Sequence, residues 1–152
     1  MNQIEELLDS GYLSREHDVS DATRHLLANE DFTEIVSFPE DTILVRQRSK
    51  SEALYFTLDG IFHAISHANP SAPNRLLGRI EPGQFIGEVC LLDSDSPASA
   101  TVKALRASMA LKMRPEAFAS LREAHPAEAI EFLMAVSRQL VSRLRVANER
   151  VL

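Results

Sequence analysis

Residues 85–104, FIGEVCLLDSDSPASATVKA, form the most informative stretch of this chain of 152 amino acids. The stretch opens with Gly87-Glu88, continues through a short apolar run, and returns through small and hydroxyl-bearing residues. Glycines and hydroxyls at the head of a short helix are the groups with which a chain surrounds a phosphate. From Phe85 to Val102, however, the sequence contains no arginine, lysine or histidine. The stretch therefore predicts an anion site that lacks a positive charge of its own.

The composition, 45% hydrophobic and 25% charged, is that of a soluble globular domain large enough to bury a core. The net charge of -6 disfavours a domain whose main task is to bind nucleic acid. No apolar run approaches the roughly 20 residues that span a bilayer, and the acidic N-terminus lacks the layout of a signal peptide. Cys90 is the single cysteine, which permits no internal disulfide and suits a reducing compartment. We therefore expect a cytoplasmic chain with no nucleic acid partner and no membrane insertion of its own.

The N-terminal part of the chain, residues 1–37, is predicted to be a weakly organised helical segment. Residues 11–21 have the composition of a loop, and Ser20 begins a sequence that suits the N-cap of a helix. Before that loop, three apolar residues are spaced for one short amphipathic turn: Ile4, Leu7 and Leu8.

Residues 38–114 are predicted to form short β-strands. Asp59-Gly60 stands between two strand-like runs and predicts a hairpin, while Pro82-Gly83 suits the centre of a type II turn. Several short strands at close intervals are typical of a sandwich or barrel. The predicted runs are 42–48, 53–58, 61–65, 75–80, 100–105 and 109–113.

Two helices are predicted over residues 115–152, the first starting at Pro115 and the second at Pro126. In the first helix, Phe118 and Leu121 share the inner side. The second helix carries a heptad seam that predicts either pairing with a second copy or packing on its own domain. The seam consists of Ile130, Leu133, Ser137, Leu140, Leu144, Ala147 and Val151, and Phe132, Val136 and Val141 add apolar surface beside it.

This order of elements resembles the cyclic nucleotide-binding domain family, the sensor domains similar to that of the catabolite activator. The resemblance implies an α+β fold: an antiparallel β-roll of jelly-roll type, with short N-terminal helices, a phosphate-cassette helix within residues 83–104, and two C-terminal helices that act as lid and dimer contact. It covers the chain from about Phe38 to the C-terminus. The matching segments are 54–65, 76–92, 99–104 and 113–126.

The family pattern implies a role for each residue of the cassette. Gly87 would let the backbone approach the ligand, Glu88 would accept a hydrogen bond from a ribose hydroxyl, and Ser99 would lie beside the phosphate. The amides of Glu88, Val89 and Cys90 would face the phosphate from the start of the short helix. The implied ligand-binding set is Phe85, Ile86, Gly87, Glu88, Val89, Cys90, Ala98, Ser99 and Ala100.

The chain departs from the family pattern at Ala98, where the family has the arginine that pairs with the phosphate. Loss of a partly buried cation lowers affinity for the anion by about two to three powers of ten. Lys103 shares a strand face with Ser99, but a solvated strand lysine is the favoured interpretation over a replacement cation. Arg75 and Arg79 flank the preceding strand.

Two further departures lie on the rim of the predicted roll. Asp41 replaces a turn glycine of the family, and residues 46–53 lack the usual Glu-Gly turn. We expect both departures to reshape the rim without touching the pocket.

Other interpretations compete with ligand contact at several of these positions. Glu88 would also suit the capping of backbone amides in an empty pocket, and Thr101 and Cys90 are interpreted as structural. His63 and His67 lack the acidic or cysteine neighbours of a metal site. No nucleophile, base and orienting residue stand together, so we expect neither an enzyme nor a cofactor.

The sequence thus predicts a cyclic nucleotide-binding-like regulatory domain, with cyclic AMP or cyclic GMP as possible ligand and with weakened or altered binding. We expect a homodimer through Ile130, Leu133, Leu140 and Leu144. Two alternatives stay open: a non-binding pseudo-sensor that acts through protein contacts, and the C-terminal regulatory domain of a membrane transporter or channel. The DNA-binding helix-turn-helix of bacterial regulators in this family is not in the sequence, so the output is expected on another chain or in a parent protein.

Overall fold

The computed structural model describes residues 17–151, in two compact units. One unit is Thr33–Pro115, and the other consists of the described residues before Thr33 and after Pro115. The turn expected at Ile4, Leu7 and Leu8 and the loop residues before His17 lie outside the described part. The helices are α1 (Asp21–Leu27), α2 (Val89–Leu92), α3 (Pro115–Ala124) and α4 (Pro126–Val151), and the strands are β1 (Glu34–Phe38), β2 (Ile43–Val45), β3 (Leu54–Asp59), β4 (Phe62–Ser66), β5 (Arg75–Ile80), β6 (Phe85–Ile86), β7 (Thr101–Ala104) and β8 (Ser108–Met113).

The unit Thr33–Pro115 consists of two four-stranded antiparallel sheets. Their strand orders are β1-β8-β3-β6 and β2-β7-β4-β5. Alternate residues of both sheets turn inward, as the period of two in a strand requires, and they form one shared apolar core. The predicted α+β fold with an antiparallel roll is therefore confirmed. The core includes Phe38, Val45, Tyr55, Phe62, Ile80, Ile86, Val102, Ala104 and Ala110.

The roll begins earlier than the sequence indicates. Residues 34–37 were expected to be helical, and this is wrong, because Glu34–Phe38 is strand β1. The strand pairs with β8 along its whole length, from Glu34 opposite Lys112 to Phe38 opposite Ser108. A ladder to a strand so far along the chain is not visible in the local sequence, and it overrides weak local preferences.

The hairpin expected at Asp59-Gly60 is also wrong, because β3 and β4 belong to different sheets. Asp59 stays in strand β3, and only Gly60, with a φ of 94°, has the left-handed conformation. The turn therefore carries the chain from one sheet to the other. Gly60 is buried against Ser108, where a Cβ would lie 2.0 Å from the Ser108 Oγ.

The turn at Pro82-Gly83 matches its prediction and is held by a buried threonine. Gly83 has the positive φ, 91°, that the third position of a type II turn requires. The Gly83 amide donates to the Thr57 carbonyl over 2.8 Å, and the Thr57 hydroxyl donates to the Glu81 carbonyl over 2.7 Å. The Gln84 amide donates to the same hydroxyl over 2.9 Å. This turn fixes where β6 begins, and β6 leads directly into the residues of the site.

The helical unit follows its sequence signals closely. Ser20 caps α1 by accepting a hydrogen bond from the Thr23 amide over 3.3 Å. Helices α3 and α4 begin at Pro115 and Pro126 as predicted. The Phe118 and Phe132 rings of α3 and α4 are both buried, with their centroids 6.1 Å apart.

Helix α4 has one buried and one exposed apolar face. Ala129, Phe132, Ala135 and Val136 are buried, whereas Val141, which was expected to add apolar surface beside the seam together with Phe132 and Val136, is half exposed. The exposed large apolar residues of α4 are Ile130, Met134, Val141, Leu144 and Val146.

We predict that Gly60→Ala destabilises the fold. The new methyl group would collide with Ser108 in a backbone conformation that alanine rarely adopts, so the free energy of unfolding should fall by about 2 kcal/mol or more. Thermal unfolding would record this as a fall of about 4–8 °C in Tm. Gly78→Ala is the matched control, because a Cβ at Gly78 meets nothing within 4 Å. An equal Tm change in both variants would contradict the prediction.

Candidate functional site

Strand β6 is the edge strand of its sheet, and the Gly87-Glu88 pair follows directly after it. Phe85 and Ile86 are buried, and they pair with Phe56 and Tyr55 of β3. Gly87 follows with a φ of 77°, and a Cβ there would lie 2.6 Å from the Ala53 carbonyl oxygen. Glycine is therefore required at this position both by the backbone angle and by the space.

The short helix α2 starts directly after this pair. Glu88 is half-buried and Cys90 is buried. The main-chain amides of Leu91 and Leu92 both donate hydrogen bonds to the Glu88 carbonyl, which closes the single turn of the helix. The Cys90 amide donates to the Gly87 carbonyl over 3.2 Å. The Cys90 amide, which was expected to face an anion, therefore has a partner in the chain.

The return segment alternates between the interior and the solvent. Ala98 is buried, with 7% of its surface exposed, and it belongs to the core of the roll. Ser99 is exposed, and Ala100 and Thr101 are half-buried. The position that lacks the cation is thus an apolar position of the inner face, and Ser99 beside it is exposed.

The turn at residues 46–49 is joined to Ala98 by two main-chain hydrogen bonds. The Arg48 amide donates to the Ala98 carbonyl over 2.8 Å, and the Ala98 amide donates to the Ser49 carbonyl over 2.9 Å. Two residues thus oppose one, and Arg48 has a φ of 69°, which is the pattern of a G1 β-bulge. Sequence reasoning expected this turn to leave the pocket untouched, but the turn bonds directly to the return segment.

A second bulge of the same type joins the other end of β2 to β7. The Asp41 amide donates to the Ala104 carbonyl over 2.9 Å, the Ala104 amide donates to the Thr42 carbonyl over 2.8 Å, and Asp41 has a φ of 71°. Aspartate enters the left-handed region at low cost, and glycine is the usual residue in a G1 bulge. Arginine has neither advantage, so Arg48 is the unusual member of this pair.

The side chain of Arg48 reaches across the return segment. Its Nη2 donates to the carbonyls of His67 and Ala68, over 3.1 and 3.0 Å, just beyond the end of β4. Strand β7 lies between β2 and β4 in this sheet. The main chain of Arg48 bonds Ala98 from the side of β2, whereas its guanidinium bonds residues that follow β4. The side chain therefore extends across the residues that lead into β7.

Gln47 holds the same strand end from the neighbouring position. Its side chain donates to the His67 carbonyl over 3.1 Å and accepts from the His67 amide over 2.9 Å. Its main-chain amide donates to the Thr101 hydroxyl over 3.0 Å. Gln47 and Arg48 were missed by sequence reasoning, and the signal that points to them is a turn in which the expected glycine is missing.

Two of the three cations considered from the sequence, Lys103 and Arg79, have acidic neighbours. The Lys103 Nζ lies 3.4 Å from a carboxylate oxygen of Asp41, and the Arg79 Nε lies 3.3 Å from one of Glu81. These exposed pairs contribute little stability, but they favour the interpretation of Lys103 as a surface residue of the strand.

The tyrosine beside the cassette is in an apolar environment. Burial raises the pKa of the Tyr55 hydroxyl, and the charge of Glu52 raises it further. Tyr55 lies opposite Ile86 in the ladder and contacts the Phe38 ring at a centroid distance of 5.8 Å. Tyr55 therefore stays in its neutral form beside the cassette.

The described residues offer neither a metal site nor a membrane span. Within the described range, no three His, Cys, Asp or Glu side chains are grouped closely enough to hold a metal ion. In the same range, no helix combines the length and the apolar composition needed to cross a membrane.

Comparison with known proteins places this geometry in a family. The family model of the cyclic nucleotide-binding domain matches residues 35–125, which include both sheets and the cassette. The chain therefore belongs to the cyclic nucleotide-binding domain family. This confirms the resemblance drawn from the cassette and from the order of strands and helices.

Individual relatives agree with this assignment. The cAMP-activated global transcriptional regulator CRP of Salmonella typhimurium is 29% identical over 117 residues, which is 77% of this chain and 53% of that protein. The chain thus spans about half the length of this relative. A cyclic nucleotide-binding domain from Methylobacillus flagellatus has a TM-score of 0.83 at 18% identity, covering 97% of this chain and 83% of that one. The regulatory domain of Toxoplasma gondii PKA, solved with cAMP, has a TM-score of 0.67 at 18% identity, covering 90% and 49%. At these identities, the two structures show the shared fold alone.

We predict that Arg48→Gly yields a more stable protein than Arg48→Ala, by about 1–2 kcal/mol. Both variants remove the guanidinium, and only glycine also relieves the left-handed backbone. Position 46 is the matched control, because Arg46 does not have a positive φ. There the order should reverse, with Arg46→Ala more stable than Arg46→Gly by about 0.4–1 kcal/mol. Urea unfolding of the four variants measures both differences, and the same order at both positions would refute the assignment of strain to Arg48.

Proposed function

We propose that this chain is a regulatory domain that binds a cyclic nucleotide, cyclic AMP or cyclic GMP, at the cassette of residues 85–100. The observation that carries this proposal is Gly87, whose left-handed φ turns the chain from β6 into the short helix α2 at the head of the cassette. A glycine at such a turn carries no side chain of its own, so the main-chain amides that follow it are open to an anion. Membership in the cyclic nucleotide-binding domain family supports the same function.

The ligand contacts follow from the family pattern. Glu88, half-buried beside Gly87, accepts a hydrogen bond from the ribose 2′-hydroxyl. The amides of Glu88 and Val89 and the hydroxyl of Ser99 face the phosphate, and the buried residues Phe85 and Ile86 support them. Because Ala98 is neutral, we expect binding that is weakened or altered relative to a site with an arginine at that position.

A second candidate function rests on the burial of Ala98 in the apolar core. In that case the pocket holds no nucleotide, and the domain acts as a pseudo-sensor through protein contacts. Isothermal titration calorimetry with cyclic AMP and cyclic GMP separates the two. Saturable binding with a Kd of about 10 μM or below, which corresponds to about −7 kcal/mol, supports the sensor, and the absence of binding at millimolar ligand supports the pseudo-sensor.

We also propose that the domain pairs through the exposed face of α4. Ile130 and Leu144 are 63% and 61% exposed, an unusual exposure for large aliphatic residues that share one face of a helix. Leu133 and Leu140 are half-buried between them in sequence and complete the heptad pattern. The regulatory output, on this proposal, passes through a partner chain and involves no catalysis by this chain.

We predict that Ala98→Arg raises the affinity for a cyclic nucleotide at least about tenfold, since it restores a charge-assisted hydrogen bond to the phosphate. Ala98→Met is the control, because it adds a side chain of comparable length without charge. The Kd values come from the same calorimetric titrations. An Ala98→Arg variant that binds no more tightly than Ala98→Met would mean that the pocket is not built around a phosphate.

We predict that Leu144→Glu weakens self-association at least about tenfold, because it places a charge in an apolar contact. Ser142→Glu is the control, since it adds the same charge to the opposite side of the helix. Sedimentation equilibrium measures the dimer dissociation constant of each variant. Identical behaviour of the two variants would exclude the exposed α4 face as the dimer contact.

A further inference from the structure

We propose that Arg48 supplies the cation that the cassette lacks at Ala98. In this role its guanidinium binds the anionic group of the ligand from the turn at residues 46–49. The inference rests on the proposed function, since it assigns a further contact in the same site. It is carried by the placement of Arg48, by its side-chain contacts and by its backbone conformation.

The placement of Arg48 is fixed by the main chain. Its amide bonds the Ala98 carbonyl over 2.8 Å, and the Ala98 amide bonds the next residue, Ser49, over 2.9 Å. Residues joined in this way lie about 5 Å apart, the spacing of neighbouring strands. The two positions are therefore adjacent, although they are far apart in the sequence.

The side chain of Arg48 extends toward the segment that would surround a phosphate. Strand β4 pairs with β7 in the register Phe62 opposite Ala104 and Ile65 opposite Thr101. Both chains leave the ladder after this pair, and two residues further along the same antiparallel direction His67 comes to the level of Ser99. The carbonyl of His67 is one of the two groups that hold the guanidinium, so the positive charge lies at the level of Ala98 and Ser99.

The guanidinium keeps donors for a ligand while it is held in place. An arginine side chain has five N–H donors in a rigid planar fork, and both carbonyl bonds of Arg48 use the same nitrogen, Nη2. Nε and Nη1 are not used by these two bonds. Gln47 fixes His67 at both its amide and its carbonyl, so one of the acceptors that position Arg48 is itself anchored.

The backbone conformation of Arg48 also points to a role for its side chain. The bulge needs only a residue with a positive φ, and glycine would provide that without strain. A strained residue that persists at a site is a signature of function. The corresponding bulge at the other end of β2 has an aspartate, which tolerates this conformation, so a bulky cation is not a requirement of the motif.

Lys50, another cation close to Arg48 in the sequence, serves as the control. Lys50 is exposed and lies two residues from Arg48, and the bulge bonds to Ala98 do not involve it. Long-range attraction by the whole segment would depend on Lys50 about as much as on Arg48. A direct contact would depend on Arg48 alone.

The test compares the wild-type chain with Arg48→Gly, Arg48→Gln and Lys50→Gln in titrations with cyclic AMP and cyclic GMP. Arg48→Gly removes the charge and the strain together, and Arg48→Gln keeps a long polar side chain. We expect the affinity for the bound nucleotide to fall about tenfold or more in both Arg48 variants and to change less than about twofold in Lys50→Gln. Melting curves without ligand confirm that each variant is folded.

A double variant tests the relocation of the charge directly. Arg48→Gly combined with Ala98→Arg moves the cation to the position that the family uses, and it should restore at least wild-type affinity. The dependence of Kd on salt should be weaker in Arg48→Gly than in the wild type.

Three results would overturn the inference, and they have different meanings. A wild-type chain that binds no cyclic nucleotide would remove both this inference and the proposed function. Wild-type binding that is unchanged in both Arg48 variants would remove the inference and leave the proposed function standing. An equal loss in Lys50→Gln would show general attraction by the segment in place of a contact from Arg48.

Discussion

The packing of Phe62 between the two sheets is the constraint on which the rest of the β-roll depends. Its side chain is fully buried, and its ring meets that of Phe38 edge-on at 6.1 Å. A ring of this size needs small residues around it, and Ala104 lies directly opposite Phe62 in the ladder with no exposed surface. Because strand residues alternate between faces, this pairing sets Val102 inward as well. Extended back to the cassette, the same alternation directs Ala98 into the core and Ser99 to the solvent.

Local sequence signals predicted those parts of the fold that depend on neighbouring residues. The cap at Ser20, the helix starts at Pro115 and Pro126, and strand β5 at residues 75–80 all follow from residues within one turn or one strand. The errors concern pairing over long distances in the chain. Strand β1 exists because β8 completes it, and Asp59-Gly60 joins two sheets because the partners of β3 and β4 are elsewhere in the sequence. A local pattern contains no information about which distant strand will supply the hydrogen bonds.

The candidate site divides in the same way. Gly87-Glu88 and the return through Ser99 form a continuous pattern, and the family match extends over them. Arg48 was not identified, because its link to Ala98 consists of main-chain bonds, which any sequence can form. The only indication of that link in the sequence is that a residue other than glycine stands in a turn where the family has glycine. Such a sign becomes meaningful only when the backbone angle is known.

The positive charge of Arg48 differs in burial and in hydrogen bonding from the charge that an arginine at position 98 would have. Position 98 is buried, since only 7% of the Ala98 surface is exposed. The charge of an arginine introduced there would destabilise the fold unless an anion paired with it. Arg48 is exposed, and the carbonyl groups of His67 and Ala68 hold its guanidinium, so its charge is neither buried nor without acceptors. The exposed charge is also screened by salt, with a Debye length of about 8 Å at physiological ionic strength. On the proposal that Arg48 supplies the cation, affinity is lower than with a cation at position 98, and no charge has to be buried there when the ligand is absent. The strain at Arg48 is then the cost of that arrangement.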